Sequence, residues 1–214
     1  MDVVGSGRSK GFGELGYGAG LERLLTPLHR GFLAVNHWCT VPAIKAGLGP
    51  LFATPFTGSM MVLRTTGRQS GRLRDAPLGY AIRDGAVWCV AGFGRTTHWF
   101  RNIEAEPRVQ VILPGGAFSG VAEEVTERET WLAGFRLVIA SLGIIGRTMV
   151  PGAIEASDDE VFERWHTLPV VRIRPTGLGS GPWDPGGLAW LPLMALEATA
   201  IAGVVHWLRH HRTG

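Results

Sequence analysis

Short apolar runs separated by glycine-bearing turns mark the middle of the chain, a pattern that predicts strands joined as hairpins. Met60 to Thr66 reads as one strand, Asp75 to Arg83 as its return and Ala86 to Ala91 as a third. Asp84-Gly85 is a two-residue hairpin signal between the last two. In the third strand Val87, Cys89 and Ala91 fall on one face and Trp88 and Val90 on the other. Its unbroken apolar character predicts burial on both faces. Arg108 to Leu113 and Ala117 to Val125 form a further pair, turned by Pro114-Gly115-Gly116. Pro169 to Pro175 reads as a last strand, placed at an edge by its prolines.

Helical spacing appears elsewhere. Leu21, Leu24, Leu25, Leu28, Phe32 and Val35 make a stripe interrupted by Pro27, so a kink or two short helices are expected. A second piece runs from His37 to Ala46, with Pro42 as a break and Gly47 and Gly49 as stops. After Gly92-Phe93-Gly94 comes a short helix capped by Thr96 or Thr97 and ended near Pro107. Trp99 and Ile103 share one face of it. Glu127 to Gly146 is expected as one helix with Trp131, Phe135, Val138, Ile139, Leu142 and Ile145 on its apolar side. Ser157 is an N-cap candidate for another, with acidic residues in the first turn. Antiparallel hairpins with one helical crossover predict a mainly β fold, a small barrel with flanking helices, rather than a parallel sheet.

The pattern divides the chain into a glycine-rich disordered lead (1–20), an N-terminal helical segment (21–50), a barrel domain (58–176), a Gly/Pro linker (177–187) and an apolar C-terminal helix (188–212). Leu188 to Leu208 carries one formal charge, Glu197. The run is long enough to cross a bilayer, but a mid-run acid costs about 2.5–3.5 kcal/mol on the insertion scale. An interfacial or protein-docked helix fits better than a spanning one. Trp190 and Trp207 near its ends suit an interface belt. The basic N-terminal segment is expected to pack over the sheet, with membrane surface contact as the alternative.

Composition adds a few constraints. The 214 residues, 45% of them hydrophobic, suffice for one cored domain. A net charge of +3 argues against general nucleic-acid binding. The two cysteines, Cys39 and Cys89, make neither a disulfide framework nor a metal spacing. No metal site is expected, and the terminal His210-His211 pair reads as a solvated basic end. No apolar signal segment opens the chain, and the expected location is cytoplasmic. No Gly-x-Gly-x-x-Gly links a strand to a helix, which argues against a Rossmann nicotinamide site.

The candidate chemistry lies in the first hairpin. Its turn combines Gly67 and Gly71 with Thr65, Thr66, Ser70 and four arginines, Arg64, Arg68, Arg72 and Arg74. Freed backbone N–H groups beside guanidiniums suit phosphate or carboxylate oxygens. The bland alternative is a solvated turn that is merely basic.

Three stretches carry a resemblance. Thr-Thr-Gly-Arg-x-Ser-Gly-x-x-Arg-x-x-Pro-Leu from Thr65, Val-Ala-Gly-Phe-Gly from Val90, and His-Trp-Phe-Arg-Asn-Ile-Glu-Ala-Glu-Pro-Arg-Val-x-Val from His98 resemble the deazaflavin-dependent nitroreductase family. It is close over Leu63 to Val125 and looser from Leu21 to Arg174. The resemblance implies coenzyme F420 on a split β-barrel of the FMN-binding type, often sharing a site across a homodimer. It implies coenzyme contacts at Arg68, Gln69 and Ser70, and at Arg74, Asp75, Ala76, Pro77 and Leu78. Val90, Ala91, Gly92 and Phe93 would pass the tricyclic ring. His98, Trp99, Phe100, Arg101 and Asn102 would close the pocket, although Trp99 also suits an ordinary core position. Gln69 stands where the family commonly has lysine. Gly79 stands where some members carry a larger residue, which leaves nitroimidazole reduction in doubt.

The expected activity is hydride transfer from the reduced coenzyme to an apolar electrophile: a quinone, a nitro compound or an activated alkene. No catalytic side chain is identified; Tyr80 and His98 are proton-donor candidates by residue type alone, and structural roles suit both. An FMN oxidoreductase of the same barrel class and a non-catalytic deazaflavin carrier are the alternatives.

Overall fold

The computed structural model describes residues 39–46, 48, 58–114, 116–178, 195–196 and 198–203. The lead, the Leu21–Val35 stripe, nearly all of the linker and most of the C-terminal run lie outside them. The described part of that run, 195–196 and 198–203, is helical and exposed. Among the described residues no helix is long and apolar enough to cross a membrane.

The elements are α1 (Val41–Lys45), β1 (Met60–Thr66), β2 (Leu73–Gly79), β3 (Ala81–Arg83), β4 (Ala86–Val90), α2 (His98–Ala105), β5 (Arg108–Leu113), β6 (Gly116–Val125), α3 (Arg128–Ser141), α4 (Gly143–Met149), α5 (Asp158–Trp165) and β7 (Val170–Leu178). The strands form one seven-stranded antiparallel sheet in the order β2-β1-β5-β6-β7-β4-β3. Its two outermost strands, β2 and β3, are consecutive in the chain with only Tyr80 between them. The expected single return strand is therefore one bent segment that pairs first with β1 and then with β4. A sheet whose opposite margins are joined by one residue must curl, which gives a mostly β half-barrel with flanking helices where the hairpins predict a small barrel.

Side chains sort by strand alternation. Met61, Leu63, Val87, Cys89, Val109, Val111, Val171 and Ile173 meet inside the curl, where Trp99, Phe100 and Ile103 of α2 plug it. Trp88 faces outward against Trp131, Phe135 and Trp165 of α3 and α5. Val62 and Ile112 face α1 through Val41 and Ile44. The two-faced burial expected of β4 is present. So is the Asp84-Gly85 turn, both residues at positive φ (52° and 70°), as a type I′ hairpin requires. Ser157 caps α5 in a reciprocal box with Glu160.

Four expectations are corrected. β7 lies between β6 and β4, not at an edge. Its Pro175 is tolerated because β4 pairs only as far as Ile173 and the β6 ladder is irregular at Ser119/Gly120. Pro42 sits in the first turn of α1, where a missing N–H is harmless, and breaks nothing. Thr97 is the N-cap of α2 by position, but its hydroxyl donates to the Gly94 carbonyl (2.8 Å) and caps no N–H. The single helix expected over 127–146 is two, parted at Leu142, with Gly143 at φ +59°.

That break has a visible cause. Leu142 seats against Gly58, Gly79 and Gly146; an added Cβ on each would lie within 3 Å of Leu142 atoms. Ser59 N–H donates to the Ser141 carbonyl (3.0 Å), and the Ser141 hydroxyl donates to the Tyr80 carbonyl (2.7 Å). The α3–α4 joint is thus bolted to the β2–β3 bend, and glycine at 79 makes room for it.

Candidate functional site: a basic rim on the barrel

Strand directions place the three motif stretches together. β1 and β4 both run toward the same end of the antiparallel sheet, since three intervening strands alternate between them. The turn after β1, the stretch after β4 and helix α2 leading into β5 therefore all leave from one end. Arg68, Gln69, Ser70, Arg72 and Arg74 are exposed there. Among the described residues Arg68, Arg72 and Arg74 have no carboxylate partner, whereas Arg95, Arg108, Arg128, Arg136, Arg172 and Arg174 each have one. Three neighbouring cations without counter-charge leave a rim suited to a polyanion.

Arg64 does not belong to this rim. Its guanidinium is buried on the opposite face of β1, with Nε 2.7 Å and Nη2 3.2 Å from the two Asp75 oxygens and Nη1 3.1 Å from Gln110. Lys45 of α1 also pairs with Asp75. Burial alone would push the Asp75 carboxyl up. The hydrogen bonds and charges of Arg64 and Lys45 outweigh it and hold the group below its ordinary 3.8. Asp75, a contact implied by the resemblance, thus spends its carboxylate internally and adds no repulsion at the rim. A depressed carboxyl stabilises the fold above its unfolded pKa and loses that contribution as pH falls through the folded value. Asp75→Asn is expected to destabilise the protein by about 2 kcal/mol at pH 7, because a buried Arg64 is left uncompensated. In urea melts the deficit should shrink below pH 3.8.

The turn's backbone is also committed. Gly67 N–H donates to Arg72 O (2.8 Å), Ser70 and Gly71 N–H to Gly67 O (3.1 and 2.7 Å), Arg72 N–H to Ser70 Oγ (3.4 Å), and Arg68 N–H to Asn102 Oδ1 (3.2 Å). The N–H cradle expected from the glycines is mostly used up, and the anion-binding capacity lies in the guanidiniums.

The other implied contacts separate by burial. Arg74, Ala76 and Leu78 share the inward face of β2, while Asp75 and Pro77 face outward toward α1. Val90, Gly92 and Phe93 are half-buried and Ala91 is buried. His98 and Arg101 are exposed. Phe100 is fully buried, Trp99 packs beside it edge-on at 6.0 Å, and both belong to the inner core. The core reading of Trp99 is therefore the one the packing supports. Asn102 is buried beneath the turn.

Tyr80 stands at the opposite end of the β1–β2 ladder from the arginines, about 20 Å away at ~3.3 Å per residue. Burial raises its phenol above the ordinary 10.0. Cys89 is fully buried, its thiol pushed up to about 12 by desolvation, while Cys39 is exposed. The buried thiol has no role as a nucleophile. No metal-ligand cluster occurs among the described residues. Sequence reading missed the Asn102–Thr65 link, since nothing in the spacing shows which turn a helical asparagine will reach.

The strands define an antiparallel half-barrel with a basic rim at one end. Residues 43–142 match the family model for F420H(2)-dependent quinone reductase. That match, to residues making up just under half of the chain, bears out the resemblance read from the three motifs. Solved structures similar to the chain include an F420-H2 dependent reductase (24% identity, 54% of this chain and 92% of that one, TM-score 0.37). A conserved hypothetical protein from Mycobacterium tuberculosis matches at 20% identity over 64% and 83%, TM-score 0.37. A heme storage protein from Vibrio cholerae matches at 20% over 63% and 92%, TM-score 0.38.

Proposed function

We propose that this protein binds reduced coenzyme F420 by its anionic tail on the Arg68–Arg72–Arg74 rim and transfers a hydride to an apolar acceptor. The observation that carries the reading is the group of three guanidiniums with no carboxylate partner among the described residues, at the end of the barrel where the three motif stretches converge. When bound, the coenzyme supplies the hydride. The residues of this chain have simpler tasks. Arg68 and Arg74 hold oxyanions as bidentate forks. Gln69 replaces a cation with a neutral amide, so Arg72 carries more of the charge. Val90 to Phe93 would border the ring of a bound coenzyme and keep water from it, with the buried Ala91 as part of the wall. His98, exposed at the start of α2, is the remaining proton-donor candidate close to this end; Tyr80 suits the bend it anchors.

The acceptor class we favour is a quinone, ahead of nitro compounds and activated alkenes. An acceptor dissolved in lipid gives the apolar run 188–208 and the basic N-terminal segment a purpose, holding a cytoplasmic barrel of the FMN-binding split type at the membrane's inner face. A homodimer sharing the site belongs to the same reading.

The test uses purified full-length protein. F420 is expected to bind, and bound F420H2 to be oxidised when menaquinone is added. A yellow protein that takes up FMN instead would overturn the cofactor assignment. Tight F420 binding without oxidation by menaquinone, a nitroaromatic or an enone would mark a carrier. Copurification with membranes, lost on deleting the residues after Gly177, would support the membrane reading; full solubility would remove it.

A further inference from the structure

We infer that Asn102 is a positioning residue for the basic turn and does not itself hold the coenzyme; this rests on the function proposed above. Asn102 is only 4% exposed and lies on α2, a separate element from the turn. Its Oδ1 accepts from Arg68 N–H (3.2 Å) and from Arg68 Nη1 (3.3 Å), and its Nδ2 donates to Thr65 Oγ1 (3.0 Å). The buried Thr65 hydroxyl donates in turn to the Arg74 carbonyl (3.5 Å). One amide therefore fixes the backbone and one guanidinium nitrogen of Arg68, and through Thr65 it reaches the backbone of Arg74.

The amide's orientation follows from its neighbours. Turned over, its NH2 would face two donors. No other side chain among the described residues ties Arg68 to the barrel; the remaining turn bonds are local to residues 67–72. An exposed arginine loses much rotamer freedom on gripping an anion, and a partner that has already fixed one nitrogen removes part of that loss. The other guanidinium nitrogens remain for the ligand.

The experiment is a double-mutant cycle on the full-length protein, titrated with oxidised F420 and read by the quenching of its fluorescence. Asn102→Ala is expected to raise the dissociation constant about tenfold, the equivalent of ~1.4 kcal/mol. Arg68→Ala should raise it by at least as much. In the Arg68→Ala background, Asn102→Ala should cost clearly less than it does in the wild type, because the part of its effect that runs through the Arg68 guanidinium is already gone. A merely structural asparagine would give additive losses, and that result overturns the inference. Should Asn102→Ala fail to fold, Asn102→Asp decides. The carboxylate keeps both acceptor bonds to Arg68 and pairs with its guanidinium, while the single Thr65 hydroxyl proton turns from the Arg74 carbonyl to the second carboxylate oxygen, so the fold should be retained. Binding should still weaken, since the new charge ties up the guanidinium; wild-type affinity in this variant overturns the inference. Wild-type protein that binds no F420 defeats the proposed function instead, and F420 binding indifferent to Arg68→Ala defeats the turn as its site.

Discussion

Replacing Arg68 and Arg74 together with alanine is expected to raise the F420 dissociation constant about 100-fold while leaving the fold intact. A charge-assisted hydrogen bond contributes about 1.5–3 kcal/mol, and two such groups lost together correspond to two decades of affinity. Both side chains are exposed and neither pairs with a carboxylate among the described residues, so the melting temperature should hardly move. The loss should be smaller at high salt, because exposed charges are screened. A titration showing unchanged affinity would remove the rim from the site. The paired Arg64 is the informative contrast. Its loss should lower stability through Asp75 and affect F420 binding only indirectly.

The second large effect concerns the bolt between helix joint and strand bend. In Gly58→Ala the new Cβ would lie 2.3 Å from Ser141 O and 2.4 Å from Leu142 Cα, at φ +67°. Backbone cannot step aside as a side chain can. The left-handed conformation adds about 1–2 kcal/mol and the crowding about 1–3 kcal/mol, so roughly 3 kcal/mol is expected. For a domain of this size that corresponds to a fall of about 6–12 °C in Tm. Gly71→Ala is the internal control. It has φ +65° but nothing within 4 Å, so only the conformational part should appear. Gly79→Ala should fall between them, since its contact is the mobile end of Leu142. Equal losses at positions 58 and 71 would show that the joint yields.

Local rules account for what could be read in advance. The short apolar strands, the Asp-Gly turn and the Ser157 cap are decided by residues close in sequence, and each is present as expected. The misreadings concern partners distant in the chain. Pro169 and Pro175 suggested an edge, but β7 gains neighbours on both sides because its second proline falls beyond the β4 ladder. The apolar spacing from Trp131 to Ile145 carries no mark of the Leu142 break, which is set by glycines some sixty to eighty positions earlier. The basic turn was legible as a group. That Arg64 would face inward needed strand parity together with knowledge of which side α1 covers. That the turn's N–H groups would be consumed locally needed its conformation.

The accessibility of the thiols has a practical corollary. Cys89 is sealed at the centre of the curl and stays protonated at neutral pH, while Cys39 stands exposed just ahead of α1. The chain contains no other sulfhydryl. A maleimide dye added to the untouched sequence would therefore mark one spot, and quenching by labelled vesicles would gauge how near that end of the protein comes to lipid.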